Sequence, residues 1–257
     1  MDGASVQIII SPAKKMVVDT DSLPVRSYPL FINAAKELLA ILQQVDYTDL
    51  QKMWKCNDAI AQLNYERIKT MDLYHNLTPA IMAYDGIQYK YMAPGVFEIN
   101  QLQYINKHLF IMSGLYGLLR PLDGVVPYRL EMQSKVPTDR FKDLYAYWKE
   151  QLNYDCPIND DLLLNLASRE YSKMLISNLP SKISVFNCIF AELCEGHLVE
   201  KGIKCKMVRG AMVRWLAENN VNSIAELKEF DCLSYVYCAQ FSTEYDLVFL
   251  QRRNEKC

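Results

Sequence analysis

The chain has 257 residues, 51% of them hydrophobic, and a formal net charge of −2 at pH 7. This apolar content is ample for a well-buried core, and the sequence shows neither a Ser/Gly-rich linker nor an internal repeat, so we expect a single domain over residues 1–257. The near-zero charge excludes a broadly basic nucleic-acid-binding surface and restricts any polyanion site to a local patch.

The N-terminal residues predict a buried strand followed by a helix. Val6 to Ile10 form a continuous apolar run, which is too short for a signal-peptide core or a membrane span. We therefore expect a cytoplasmic protein without membrane contact. Ser11 and Pro12 have the residue types of a helix N-cap and first helical position. The eight cysteines form no CxxC pair, so reduced thiols are expected.

The rest of the chain alternates between helical and strand patterns. Residues 31–72 have the amphipathic spacing of helices, with Asn57 or Asp58 able to cap the later one. The pattern further predicts helices at 99–108, 144–152 and 207–219, and strands at 109–112, 162–166, 186–192, 197–206, 233–238 and 247–250.

The predicted elements favour an α/β (mixed α+β) fold. Strands 186–192 and 197–206 are joined through Glu195-Gly196, which indicates an antiparallel hairpin, and Lys201-Gly202 suggests a bulge in its second strand. Elsewhere helix and strand alternate, as in parallel sheets. We predict a mixed β-sheet with an antiparallel hairpin and surrounding helices.

An arginine-containing loop follows the predicted strand 109–112. Gly114 allows close backbone approach, and prolines stiffen the segment that presents Arg120, Tyr128, Arg129 and Glu131. Guanidinium groups bind phosphates and carboxylates through paired hydrogen bonds, so this loop predicts anion recognition. The alternative is a structural ion pair between two loops.

Three segments share one design, an apolar strand followed by small and then polar residues: IIISPAKK, FIMSGLYG and LLLNLASREY. If their strands are parallel neighbours, the loops share one cleft at the carboxyl ends, where helix N-termini offer N–H groups to anions. The residues expected to converge on a phosphate or nucleotide are Ser11, Lys14, Ser113, Gly114, Arg120, Asn165 and Ser168. The alternative for each loop alone is ordinary capping.

A basic helix and several aromatic residues extend this candidate site. Lys206 and Arg209 lie three residues apart and face neighbouring directions on a helix, with Arg214 on the flank. Lys15 and Lys173 add charge from the strand-end loops. Tyr128 and Tyr171 are candidates for stacking on bases. The alternative for the helix is a solvated charged face.

Four acids lie within motifs, Asp85, Asp123, Glu131 and Glu170, so a carboxylate pair or a general base is possible, and no Ser/His/Asp order is present. Asp85 and Glu131 are the candidate catalytic carboxylates. Cys194 and His197 have CxxH spacing but lack two further ligands nearby. We therefore expect no metal site and no cofactor, and the residues leave open whether the protein is an enzyme.

The motifs resemble the YaaA family of bacterial peroxide-stress proteins. The resemblance rests on SPAKK, YDGIQY, SGLYGLLRPLD, PYRLEM, KDLYAYW, NLASREYSK and KMVRG, which occur in this order over nearly the whole chain. It implies peroxide resistance, iron control and DNA binding without a settled reaction. The family pattern has a lysine where this chain has Met207, which removes one phosphate contact.

Two functions follow as expectations. The first is a peroxide-stress protein that binds DNA, distorted or partly single-stranded, through a local basic cleft, limits oxidative damage and is linked to iron control. The second is an enzyme acting on a nucleobase, nucleotide or other phosphorylated small molecule at a strand-end pocket. The expected partners are DNA or such a small molecule, and the expected state is a monomer.

Overall fold

The structure is a computed structural model that describes residues 6–252. The helices are α1 (Ile32–Gln44), α2 (Tyr47–Trp54), α3 (Asp58–Thr70), α4 (Ala80–Ala83), α5 (Ile87–Met92), α6 (Ile99–His108), α7 (Leu144–Tyr154), α8 (Arg169–Ile176), α9 (Gly202–Glu218) and α10 (Ile224–Leu227). The strands are β1 (Val6–Ile10), β2 (Lys15–Met16), β3 (Thr78–Pro79), β4 (Tyr84–Asp85), β5 (Leu109–Ser113), β6 (Gly117–Leu119), β7 (Gly124–Val125), β8 (Leu162–Leu166), β9 (Ser184–Cys194), β10 (His197–Val199), β11 (Asp231–Cys232), β12 (Tyr235–Tyr237) and β13 (Asp246–Gln251).

The main sheet has the strand order β11-β12-β13-β9-β8-β1-β5-β6, and β10 pairs with β9 beside this path. Strands β13, β9, β8, β1 and β5 are parallel, whereas β6, β10, β11 and β12 pair in antiparallel fashion. The predicted mixed sheet with surrounding helices is confirmed.

The connections change direction between β1 and β8. From β1 the chain continues to β5 on one side, whereas from β8 it continues to β9 on the other side. Such a topological switch point leaves a crevice at the carboxyl ends of the two strands, and ligands of open α/β sheets bind there. The strands that form this point are central, and every residue of β1 is buried.

The helical stretch 31–72 divides into three helices, each with a local cause. Asp46 accepts a hydrogen bond from the backbone N–H of Asp49 (2.9 Å) and begins α2. Asn57 caps α3 through the N–H of Ile60 (3.0 Å), as its residue type predicted. Lys55 ends α2 in the left-handed conformation (φ 48°).

The predicted helix at Ser11-Pro12 is wrong. This segment is irregular and leads into β2 instead of a helix. The Ser11 hydroxyl accepts a hydrogen bond from the backbone N–H of Ser168 (2.8 Å), the N-cap residue of α8. Ser11 therefore acts at the N-terminus of a helix that is distant in sequence, which local spacing does not reveal.

The hairpin is confirmed, but its predicted second strand is too long. Glu195 (φ 50°) and Gly196 (φ 82°) form the turn. Strand β10 ends at Val199, and α9 begins at Gly202 with Lys201 as its N-cap, so the predicted bulge is wrong. Buried side chains on one face of α9 explain the early start, since they continue the helical spacing back to Cys205.

The predicted strand 233–238 is shorter in the structure, where it is β12, because Leu233 (φ 53°) and Ser234 (φ 64°) form the turn from β11. The cysteines between residues 6 and 252 are free thiols, and Cys257 lies outside the described residues. Within the same range, every helix is too short or too polar to cross a membrane.

Candidate functional site

A pocket of about 430 Å³, here called the strand-end pocket, opens at the carboxyl ends of β1 and β8. Its position coincides with the topological switch point of the sheet. Five segments of the chain contribute its lining residues: Ser11, Pro12, Ala13, Lys14, Lys15, Asp85, Gly86, Ile87, Gln88, Tyr89, Glu131, Ser168, Glu170, Tyr171, Lys206 and Arg209.

Two serines at the strand ends line the pocket. Ser11 follows β1 and Ser168 follows β8, and their hydroxyl oxygens lie 3.2 Å apart. The Tyr89 hydroxyl donates to the backbone oxygen of Ser11 (3.0 Å), which holds this loop against α5. Because α8 starts directly after Ser168, its N-terminal N–H groups lie beside the pocket, as an anion site requires.

The third strand end, that of β5, is closed. A Cβ atom on Gly114 would lie 2.2 Å from the backbone oxygen of Leu130, so the segment that carries Tyr128 crosses directly over this glycine. The Ser113 hydroxyl pairs with the Tyr128 hydroxyl (2.6 Å), which in turn pairs with that of Tyr84 (2.9 Å). Ser113 and Tyr128 are 0% and 4% exposed, so the ring predicted to stack on bases has no free face.

Residues 126–132, here called the covering segment, cross over Gly114 and reach the pocket at Glu131. One oxygen of Glu131 lies 2.6 Å from the Lys14 ammonium, and the other lies 3.1 Å from a guanidinium nitrogen of Arg129. Arg129 is itself only 11% exposed at its side chain and does not line the pocket. Glu131 therefore joins a buried cation to an exposed one at the pocket edge.

A second ion-pair cluster lies on the opposite side of the opening. The short ladder between β2 and β4 places Lys15 opposite Asp85, with 2.5 Å between their charged groups. Lys90 approaches the other oxygen of Asp85 at 3.6 Å. The hydrogen bond from Lys15 is the largest influence on the Asp85 carboxyl and keeps its pKa below the ordinary value, so Asp85 stays ionised.

Helix α9 supplies the remaining cations. Lys206 is exposed, and among residues 6–252 no carboxylate lies within ion-pair distance of it. Arg209 is less exposed, and burial lowers the pKa of its guanidinium, so an anionic ligand would stabilise its charge. The helix packs closely on α5, since a Cβ atom on Gly210 would lie 2.0 Å from the backbone oxygen of Gln88.

Three side chains that line the pocket carry buried polar atoms without a hydrogen-bond partner among residues 6–252. They are Gln88 (Nε2), Glu170 (Oε1) and Arg209 (Nε), and together we call them the pocket floor. A fourth such atom, Nε of Arg129, lies behind Glu131. Buried polar atoms are nearly always paired in folded proteins, and the three residues of the pocket floor all line one pocket, which makes it the candidate site for a polar ligand.

Several predicted site residues lie elsewhere. Arg120 follows β6, which runs antiparallel to β5 and so carries the arginine back from the carboxyl edge. Asn165 donates to the Asn187 side chain (2.9 Å) instead of lining the pocket. The Lys173 ammonium lies over the Tyr145 ring, 5.2 Å from its centroid, and Nε of Arg214 lies 2.7 Å from an oxygen of Glu218.

The sequence did not single out Gln88 and Lys90, and it indicated Glu170 only as one of four acids within motifs. Gln88 belongs to the YDGIQY segment, where a buried amide between aromatic residues was the available signal. Glu170 is the second residue of α8, and an acid at that position is usually explained by the helix dipole. Neither sequence context shows that the polar atoms stay unpaired.

A second cavity, of about 630 Å³, lies between α6 and the end of α9 and is larger. Five of its eleven lining residues are Asn or Gln, and it includes none of the strand-end motifs, so the strand-end pocket is the better candidate for the functional site. Within residues 6–252, no group of three or more His, Cys, Asp or Glu side chains is arranged to hold a metal ion.

Comparisons with known proteins point to one family. The profile described as peroxide stress protein YaaA matches residues 6–241. A UPF0246 protein of Desulfitobacterium hafniense is 49% identical over 251 residues, covering 98% of this chain and all of the relative. UPF0246 proteins of Lachnoclostridium phytofermentans (47% over 246 residues, 96% of each chain) and Pediococcus pentosaceus (45% over 251 residues, 98% of this chain and 100% of the relative) are similar as well.

Proposed function

Since this chain belongs to the family of peroxide stress protein YaaA, we propose that it acts in the peroxide-stress response by binding DNA at the strand-end pocket. In this proposal the exposed lysines at the opening hold the phosphate backbone. One unpaired or extruded nucleotide enters the pocket and meets the pocket floor. Binding of this kind would shield distorted or partly single-stranded DNA from oxidative damage.

The unpaired atoms of the pocket floor are the observation that carries the proposal. Gln88 and Arg209 offer N–H donors, and Glu170 offers a carboxyl oxygen. A nucleobase edge presents both donors and acceptors, and proteins that take a base out of the duplex read it through such contacts. A phosphate would bring its negative charge close to the Glu131 carboxylate, which lies near Glu170, so an uncharged base suits this set better.

The size of the pocket supports a single nucleotide over a duplex. Its volume of about 430 Å³ lies in the range of roughly 300–1,000 Å³ that is typical of small-ligand sites. A cube of that volume has an edge of roughly 7.5 Å and cannot admit a DNA duplex, since the major groove alone is about 12 Å wide and the duplex is wider still. Duplex DNA would therefore contact only the opening.

The charge around the pocket supports attraction of a polyanion. Six cations line the pocket or pair with residues that line it, against three carboxylates, Asp85, Glu131 and Glu170. The whole chain has a net charge of −2, so this excess of cations is local. Lys206 is the best placed to bind a phosphate, because its ammonium group is not engaged by a carboxylate in the described part of the chain.

DNA binding is tested by fluorescence anisotropy with three labelled probes, a duplex, a duplex with an unpaired bubble and a single strand. We expect the bubble to bind more tightly than the duplex. Affinity should fall steeply with salt, since each phosphate contact contributes about −0.7 to −0.9 to the slope of log K against log salt. Absence of binding to all three probes at low ionic strength would refute the proposal.

Two variants on α9 give a matched comparison. Lys206→Gln removes a cation at the pocket, whereas Arg214→Gln removes one that lies roughly 12 Å further along the same helix and is paired with Glu218. We expect Lys206→Gln to weaken binding about fivefold and to reduce the salt slope by about one contact. Arg214→Gln should leave both unchanged, and equal losses in the two variants would point to non-specific attraction by the helix.

An enzyme acting on a nucleobase or nucleotide is the second candidate. The observation in its favour is that the carboxyl groups of Asp85 and Glu131 both line the pocket, where either could act in proton transfer. Incubation of the bubble probe and of free nucleotides with the protein, followed by mass spectrometry, would detect a released base or an altered nucleotide. Binding without any product would favour the first function.

The link to iron control and the cytoplasmic location stay predictions from the resemblance and the sequence. Neither is needed for binding at the strand-end pocket. The peroxide-stress role itself is tested by survival of a deletion strain under peroxide, complemented with wild type or Lys206→Gln. We expect the variant to rescue survival less well than the wild-type protein.

A further inference from the structure

Glu170 differs from the other carboxylates of the pocket in its surroundings. Asp85 and Glu131 each have a lysine within 2.6 Å, whereas in the described part of the chain no cation lies within ion-pair distance of Glu170. Its Oε1 atom is buried and has no hydrogen-bond partner among the described residues. A half-buried carboxylate without a cation would be poorly solvated, so Glu170 is the acid most easily held in its neutral form.

The groups around Glu170 agree with this difference. Burial is the largest influence and raises the pKa of Glu170, and the nearby Glu131 carboxylate raises it further. Hydrogen bonds from the backbone N–H groups of Gln133 and Met132 lower this pKa, as does the Lys14 ammonium. The net direction is upward. The titratable and charged groups that face Glu170 from the packed elements are Tyr171 on α8, Tyr145 on α7, Lys14 from the β1–β2 loop, Glu131 from the covering segment, and Lys206 and Arg209 on α9.

We propose that Glu170 binds the ligand as a neutral carboxylic acid and donates its hydrogen to an acceptor atom of the base in the strand-end pocket. This rests on the proposed function. With Glu170 neutral, the pocket floor presents three donors, from Gln88, Glu170 and Arg209. Three donors favour a base edge that is rich in acceptors. Thymine offers two carbonyl oxygens on either side of one N–H group, whereas adenine offers one ring acceptor beside an amino donor, so adenine fits less well.

The proposal predicts a specific pH dependence. Below the pKa of Glu170 the carboxylic acid carries the hydrogen that it donates. Above this pKa the carboxylate and the carbonyl oxygens of the base are all hydrogen-bond acceptors and repel each other. Affinity for a duplex with one unpaired thymine should therefore fall by about tenfold per pH unit once pH exceeds that pKa. The same probe with an abasic site should bind at least about tenfold more weakly at low pH and show little pH dependence.

Variants of two glutamates identify the titrating group. Glu170→Gln keeps a donor at the same place without titrating, so its affinity should stay high and flat between about pH 5.5 and about pH 8.5. Glu131→Gln removes a charge that disfavours ionisation of Glu170, so the pH midpoint should move lower. Weak binding by folded Glu170→Gln at every pH, or an unmoved midpoint in Glu131→Gln, would overturn the proposal.

A measurement on the wild-type protein covers the case in which Glu170→Gln does not fold. Calorimetric titration with the thymine probe in two buffers of different ionisation enthalpy gives the number of protons taken up on binding. We expect uptake approaching one proton above the pH midpoint, and zero uptake over the whole pH range would overturn the proposal. If the thymine and abasic probes bind equally, or neither binds, then the proposed function itself fails.

Discussion

The ends of β1 and β5 follow the same sequence pattern, but the end of β1 is open to a pocket and the end of β5 is covered by another segment. Both strands are fully buried and lead into small residues, yet Ser11 opens onto a pocket while Ser113 is 0% exposed. The difference is the segment after β7, which crosses Gly114 within contact distance and seals the end of β5. A strand end becomes a binding site only where no other segment satisfies its polar groups, and four predictions test this comparison.

The largest effect is expected at the sealed end, from Gly114→Ala. The added Cβ would lie 2.2 Å from the Leu130 oxygen, and a backbone neighbour cannot move aside as a flexible side chain can. We expect the free energy of unfolding to fall by about 3 kcal/mol or more. Denaturant unfolding measures this. Gly202→Ala, where a Cβ would meet no atom within 4 Å, is the control and should stay within about 0.5 kcal/mol.

Tyr128→Phe tests whether this tyrosine belongs to the seal instead of the ligand site. It removes a hydroxyl that pairs with Ser113 (2.6 Å) and Tyr84 (2.9 Å), both buried. We expect a loss of about 1–3 kcal/mol in stability with DNA affinity unchanged in the folded protein. The exposed Tyr91→Phe is the control. Weaker DNA binding by Tyr128→Phe at unchanged stability would indicate that Tyr128 contacts the ligand.

Ser11→Ala tests the open end. The change removes the acceptor for the Ser168 N–H (2.8 Å), but this half-buried group lies at the pocket and solvent can replace part of the bond. We expect a loss of only about 1 kcal/mol in stability, and a several-fold loss of affinity for the bubble probe. Equal effects of Ser11→Ala and Ser113→Ala on binding would erase the distinction between the two strand ends.

The smallest effect is expected from Arg120→Gln. Arg120 belongs to the arginine-containing loop, but β6 carries it away from the carboxyl edge, and it does not line the pocket. DNA affinity and its salt slope should change less than twofold, in contrast with Lys206→Gln. A loss as large as that of Lys206→Gln would show that DNA extends over this side of the sheet.

The site was predicted in part, and the successes share one physical basis. The ends of β1 and β8 follow from apolar runs that stop at small and polar residues, a pattern that extends over only a few positions of the chain. The spacing of Lys206 and Arg209 likewise predicted that both face one way, and both line the pocket. Asn57 caps α3 as expected for the same local reason.

The failures concern contacts between distant segments. Arg120 and Asn165 have suitable chemistry, but an antiparallel turn removes the first and Asn187 engages the second. Ser11 looked like the cap of the next helix and instead contacts the start of α8, 157 residues away. Long-range pairing decides such cases, and its energy does not appear in the pattern of any one segment.

The sequence by itself determined the family, the mixed α/β class and the candidate strand ends, because hydrophobic periodicity and residue preferences are local and the family motifs are long. Only the tertiary structure decided which strand end stays open. It also decided that Gln88, Glu170 and Arg209 keep unpaired polar atoms around one space. Whether a buried polar group is satisfied depends on every segment packed against it, which is a property of the folded chain alone.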